Sequence, residues 1–260
     1  VDELVKNGLV QANGAELYYE IRGTGPTLLF ISGAEGDAEE YLRVVELVAD
    51  TFTTITYDRR AFSRSPRPAG YAGTTVEEQA DDAAALIDAL GIGPVAVWGN
   101  SSGAIVGLGL AVRHPDMVRA AMLHEPPLFA GMPAWEEVLA FLKQATKGGK
   151  VPFLRMLTGD EIYKGFSQGY RDRLAVDRTW IDHEFNVFEY YRPPDEDLGG
   201  LPIPFAVLYG ADSPPFFGEA AVWLTERLGI SVTKIAGNHG VHYALPEEAA
   251  GAIRAFASED

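Results

Sequence analysis

A serine stands at the centre of Gly99-Asn100-Ser101-Ser102-Gly103, between a β-branched run (Val95 to Trp98) and a helical pattern that starts at Ser102. The G-x-S-x-G spacing suits a tight strand-to-helix turn, whose flanking backbones come so close that small residues are needed two positions either side. Such a turn holds its apical residue in strained dihedrals and lifts the hydroxyl clear of the sheet edge. The N–H of Ser102, in the first turn of the following helix, is then free to stabilise an oxyanion. A serine hydroxyl is a weak nucleophile until a base takes its proton.

Five histidines could supply that base. His114 closes a helix in Arg113-His114-Pro115, where positive charge suits the helix dipole. His183 lies among charged residues, and His124 precedes Glu125 at a strand end. His239 and His242 sit in Gly237-Asn238-His239-Gly240-Val241-His242, after the last strand, where a base can face Ser101 across the sheet edge. His239 is the first choice because Gly237 and Gly240 leave its backbone free to turn in; His242 is the fallback. The competing reading is a Gly-rich strand-to-helix turn with no chemistry.

The elements that must position these groups follow from pattern. Leu9–Ala12 and Glu16–Ile21 alternate around Asn13-Gly14 and predict a β-hairpin. Leu28–Ile31 is a continuous apolar run, the mark of a strand buried on both faces, and it leads into Ser32-Gly33-Ala34-Glu35-Gly36 and a helix near Ala38. Phe52–Tyr57 predicts a strand, Asp58–Ser65 a polar loop, and Thr74–Leu90 a helix capped by Thr74 or Thr75 and ended by Gly91. After the elbow come a helix to Arg113 and a strand from Val118 to Leu123, ending at His124-Glu125-Pro126-Pro127. From Leu128 to Leu198 the alternation stops. That stretch is helical in pattern and rich in aromatics, Trp180, Phe188 and Tyr190 among them, and it predicts a lid inserted after one strand. Phe205–Tyr209, a helix to Leu228, Ser231–Ile235 and a helix over Pro246–Phe256 resume the alternation. The prediction is an α/β fold with a mostly parallel sheet and helices on both faces, its core formed by residues 1–127 and 199–260 and its helical lid by 128–198. Reactive groups then gather at the carboxyl ends of the strands, where Ser32–Glu35, Ser101, Glu125, Asp212 and His239 all lie.

Composition narrows the function. The 260 residues suit one domain with an insertion, and 47% hydrophobic content is ordinary for a globular core. Thirty-seven acidic residues against 21 basic leave a formal charge of −16, which makes nucleic acid and anionic membranes poor partners. The absence of cysteine excludes disulfides, thiolate nucleophiles and zinc–thiolate sites. No ligand cluster suggests a metal, and no cofactor is expected. With no basic-apolar leader and no apolar run long enough to span a bilayer, the expectation is a soluble, cytoplasmic protein.

The strand order, the elbow Gly99–Gly103, the Gly33-Ala34 turn and the Gly237-Asn238-His239…Pro246 ending resemble the α/β-hydrolase superfamily over nearly the whole chain outside the lid. That resemblance implies a Ser–acid–His triad in that chain order. The family commonly carries its acid as G-x-x-D after the penultimate strand; Gly210-Ala211-Asp212-Ser213 puts aspartate one position early. Other members take the acid from the end of the strand after the elbow helix, where this chain has Glu125. Glu125 is therefore the preferred acid and Asp212 the alternative. The resemblance also implies a second oxyanion donor, the N–H of Ala34, beside that of Ser102; many relatives have His-Gly where this chain has Ser32-Gly33. Trp98–Ala104 with His124-Glu125-Pro126 is similar to the branch containing the fungal lactonases that open the macrolactone zearalenone. The likeness is good at the elbow and acid but not in the lid, so the substrate is not carried over. Gly33, Trp180, Phe216 and Phe217 are substrate-pocket candidates by analogy, with core packing as their alternative role.

The expected function is a serine hydrolase that cleaves a small apolar carboxylic ester or lactone through an acyl-enzyme on Ser101, with a second copy of the chain as a candidate partner in a homodimer. Cofactor-free haloperoxidase-like enzymes, C–C hydrolases and lyases share the fold and can keep the serine and histidine. A non-catalytic ligand receptor is the remaining alternative.

Overall fold

The computed structural model describes residues 6–185 and 190–257; Phe188, named above, lies outside them. Eight strands form one sheet in the order β1-β2-β4-β3-β5-β6-β7-β8. They are β1 (Lys6–Ala12), β2 (Ala15–Arg22), β3 (Thr27–Ile31), β4 (Thr53–Tyr57), β5 (Val95–Asn100), β6 (Val118–His124), β7 (Phe205–Gly210) and β8 (Thr233–Ile235). β1 and β2 pair antiparallel, and β2 joins β4 antiparallel; from β4 to β8 every pairing is parallel. The hairpin forms where expected. Asn13 and Gly14 both adopt positive φ, at 47° and 74°, as a two-residue turn matched to strand twist requires.

The central strand shows how sequence builds both faces. All six residues of β5 are buried. Successive side chains point to opposite sides, so Val95 and Val97 enter one core with Leu29, Ile31 and Leu108, while Ala96 and Trp98 enter the other with Phe30, Val44 and Met122. Helices α1 (Leu42–Val48), α2 (Val76–Leu90) and α3 (Ser102–Arg113) cover these faces with the closing helix Pro246–Ala257. Thr75, not Thr74, caps α2: its side chain accepts from the Glu78 N–H, and Gly91 ends the helix at φ 66°.

The structure refines two expectations. The helix placed near Ala38 opens as a 3-10 turn over Ala38–Tyr41 before α1, because Asp37 accepts the Glu39 N–H and tightens the entry. The loop after β4 is polar, yet Asp58, Arg59, Arg60 and Ser65 are buried. Their charges are paired: Asp58 with Arg64 at 2.7 Å, Arg60 with Asp82 at 2.5 Å and Arg59 with Glu184 at 2.8 Å.

Between β6 and β7 the described residues contribute only helices and turns, chiefly Trp135–Ala145, Lys150–Thr158 and Gln168–Val176, with a π-helical turn over Trp180–Glu184. Phe129, Leu142, Phe153, Trp180 and Phe185 pack there against Phe217 and Ala220 of the helix Pro215–Leu228. Charges join this segment to the β3 and β4 loops, through Arg59–Glu184 and through Arg173 to Asp37 and Glu39.

Candidate active site

Ser101 occupies the turn between β5 and α3 at φ 55° and ψ −129°, a strained conformation for a residue with a side chain. The flanking glycines explain how the turn closes. A Cβ on Gly99 would stand 2.5 Å from the Gly103 carbonyl oxygen, and one on Gly103 would stand 2.0 Å from that of Ile31. The Ser101 N–H donates to the His124 carbonyl at 3.0 Å, which fastens the turn to β6.

Glu125 follows β6 directly and is also strained, at φ 48°. Its N–H donates to the Leu208 carbonyl at 3.0 Å, and its Oε1 accepts the Gly210 N–H at 2.8 Å. Its Oε2 lies 2.6 Å from His239 Nδ1. Burial alone would raise the Glu125 pKa, but the His239 hydrogen bond and the neighbouring histidines bring it down to about 2. His239 is stacked on Phe217, with ring centroids 4.3 Å apart. The imidazole is thus held on one edge by a carboxylate and on one face by an aromatic ring.

Ser101 and His239 line one cavity of about 40 Å³, together with Ala34, Phe129, Phe153 and Trp180. Among the described residues no hydrogen bond joins the Ser101 hydroxyl to the His239 ring. Catalytic hydrogen bonds often tighten only once substrate is bound.

The turn after β3 is fixed from both sides. The Gly33 N–H donates to Glu40 Oε2 at 2.9 Å, and the Gly33 carbonyl accepts from Arg59 Nη2 at 2.7 Å and from the Gly36 N–H at 3.1 Å. Because the Gly33–Ala34 peptide is planar, anchoring its carbonyl toward Arg59 turns the Ala34 N–H the opposite way. Neither the Ala34 N–H nor that of Ser102, the first residue of α3, meets a protein acceptor among the described residues.

The remaining sequence candidates separate clearly. Asp212 is exposed in the turn after β7, and its N–H donates to the Gly237 carbonyl at 2.9 Å. The one-residue shift aims its side chain outward, and it is Glu125 that meets the imidazole. His242 is buried and lines the same cavity, 3.4 Å from Glu40 and not against Glu125, and burial holds its pKa well below the ordinary histidine value. His124 is likewise depressed, to about 4, and its Nδ1 lies 2.7 Å from Asn100 Oδ1. An amide oxygen only accepts, so this ring nitrogen carries the proton. Gly33 packs against the elbow, where a Cβ would stand 3.3 Å from Ser101 Cβ. Trp180 and Phe217 line the cavity; Phe216 does not, and instead backs Phe129 and Phe217 at 5.5 and 4.7 Å. Glu40, Arg59 and Glu184 were not singled out from sequence. An arginine pair directly after a strand was the available signal, but its partner stands 125 positions away.

A family profile described as alpha/beta hydrolase fold matches residues 26–153. The chain is 41% identical over 243 residues to the uncharacterized hydrolase YraK of Bacillus subtilis, covering 90% of each protein. It is 36% identical over 118 residues to the zearalenone hydrolase of Bionectria ochroleuca, covering 44% of this chain and 45% of that one. A crystal structure of a hydrolase from Pseudomonas aeruginosa superposes with a TM-score of 0.79 at 20% identity, over 97% of this chain and 98% of that one. The chain belongs to the α/β-hydrolase family.

Proposed function

We propose that this protein is a serine hydrolase of carboxylic esters or lactones. The observation that carries the reading is the meeting, in one cavity, of a serine on a strained elbow and a histidine bonded at 2.6 Å to a buried carboxylate. In the proposed cycle the Ser101 hydroxyl attacks the carbonyl carbon and its proton passes to His239 Nε2. Glu125 keeps the ring proton on Nδ1 and stabilises the imidazolium. The Ala34 and Ser102 N–H groups hold the oxyanion. The imidazolium then protonates the leaving alkoxide, and a water activated by the same ring releases the acyl group and restores Ser101.

Residues 128–198 are proposed to act as a cap. A cavity of about 40 Å³ holds little more than a water or two, whereas pockets for organic ligands typically span about 300–1,000 Å³. Movement of this segment away from the core is proposed as the way in for substrate. Its aromatic lining favours an apolar acyl or alcohol group.

The test combines a fluorophosphonate probe with a panel of p-nitrophenyl esters and macrolactones. Wild-type protein is expected to label and turn over, and Ser101→Ala to do neither. Glu125→Ala should lower kcat by about 10³–10⁴-fold, while Asp212→Ala stays within about twofold. Turnover surviving in Ser101→Ala would overturn the scheme, and the reverse pattern at the two acids would return that role to Asp212.

A further inference from the structure

Besides its histidines and Tyr243, the largely apolar wall of the catalytic cavity carries a carboxyl and an ammonium group: Glu35, from the turn after β3, and Lys150, from the helix Lys150–Thr158. They are 8% and 5% exposed, and the acyl-transfer scheme uses neither. Lys150 has its partners. Its Nζ lies 3.4 Å from Asp177 Oδ2 and donates to the Glu35 backbone carbonyl at 3.4 Å. The Glu35 carboxyl is different. Among the described residues no other residue donates a hydrogen bond to it, and no cation comes within salt-bridge distance. Burial raises its pKa, and its own backbone N–H with the charges of Lys150, His239 and Arg59 offsets part of that rise. The carboxyl lines the cavity with hydrogen-bonding capacity to spare, which a polar group on a bound molecule would complete. Its position says where. The point where a Gly33 Cβ would stand is 3.3 Å from Glu35 Oε2 and 3.3 Å from Ser101 Cβ, so the carboxyl and the serine flank the same point of the turn and line one cavity.

We propose that Glu35 is a specificity anchor that hydrogen-bonds a hydroxyl group carried by a neutral ester or lactone a few bonds from the scissile carbonyl. The proposal rests on the serine-hydrolase reading and names the substrate class for that site. A hydroxyl both donates and accepts, so it can pair with Glu35 in either protonation state. A carboxylate-bearing substrate fits badly, because its charge would face Glu35 with Glu40 behind it, and Lys150 is already paired with Asp177. A wholly apolar substrate would cover the aromatic wall and leave Glu35 unpaired, the situation that most strongly disfavours an analogue lacking the hydroxyl.

Two matched pairs test this: p-nitrophenyl 3-hydroxybutanoate against p-nitrophenyl butanoate for the acyl side, and catechol monobutanoate against phenyl butanoate for the alcohol side. Wild-type kcat/KM should favour the hydroxylated member of at least one pair by about tenfold or more. In Glu35→Leu that ratio should fall toward one, with Glu35→Gln between them; folding of both variants is checked by thermal unfolding, and Glu35→Gln decides if the leucine variant does not fold. An equal ratio in wild type and variant overturns the anchor. Calorimetric affinities for the same pairs, measured in Ser101→Ala with and without the Glu35 change, read the anchor without turnover. If neither pair is hydrolysed but the affinity difference depends on Glu35, the hydrolase reading falls and the anchor stands; equal affinities sink the anchor whatever the chemistry.

Discussion

Glu125 combines a left-handed backbone, full burial and an ionised carboxylate, each unfavourable alone. What offsets them is a complete set of bonds: the Gly210 N–H on one oxygen and the His239 ring on the other. Its folded pKa, near 2, lies below the ordinary value of 4.5. The carboxylate therefore stabilises the fold above about pH 4.5, and that contribution disappears as pH falls through 2. The gap corresponds to something on the order of 3 kcal/mol at neutral pH. Glu35, Glu40 and Glu184 are shifted upward and act in the opposite sense, so a pairwise comparison isolates Glu125. In urea unfolding, wild type should exceed Glu125→Gln by this order at pH 7, with the difference shrinking between pH 4.5 and 2. A difference that does not change with pH would contradict the charge argument.

At the scale of elements, the Arg59–Glu184 pair couples the β4 loop to the segment between β6 and β7. Both side chains are fully buried, and Gln79 completes Glu184 at 2.6 Å. Removing one member of such a pair leaves an uncompensated charge and costs about 3–5 kcal/mol, whereas replacing both by apolar residues is often close to neutral. Glu184→Ala should therefore destabilise by that amount in thermal or chemical unfolding, and Arg59→Met with Glu184→Leu should recover most of it. Activity should not return with stability, because Arg59 also holds the Gly33 carbonyl and so orients the Ala34 N–H. A stable double variant with wild-type kcat would show that the turn after β3 keeps its geometry without Arg59.

For the whole molecule the dominant quantity is the charge of −16. A net negative charge repels anionic ligands over about a Debye length, roughly 30 Å at 0.01 M salt and 8 Å at 0.15 M. For an anionic ester kcat/KM should rise over that salt range, while for a neutral ester of the same shape it should stay level. A parallel response would assign the effect to stability or to the cap instead of the field. No helix among the described residues is long and apolar enough to cross a membrane.

Sequence by itself determined whatever depends on near neighbours. The Asn13-Gly14 hairpin, a threonine cap at Thr74 or Thr75 and the elbow at Ser101 each depend on residue types within a few positions, since turn dihedrals and first-turn hydrogen bonds are local. The strand–helix alternation likewise made the parallel sheet legible, because hydrophobic period records which faces are covered. Tertiary structure alone decided which distant groups meet. Glu125 and His239 stand 114 positions apart, and only the folded chain shows that Glu125, not the exposed Asp212, lies against that ring. Sequence placed Glu35 at a strand end and Asp58–Ser65 in a polar loop, but the cavity that Glu35 shares with Lys150 and the pairing of Arg59 with Glu184 exist only in the folded chain. Hydropathy registers that a charge prefers a partner; which partner it finds is set by the order of strands and the path of the chain between them.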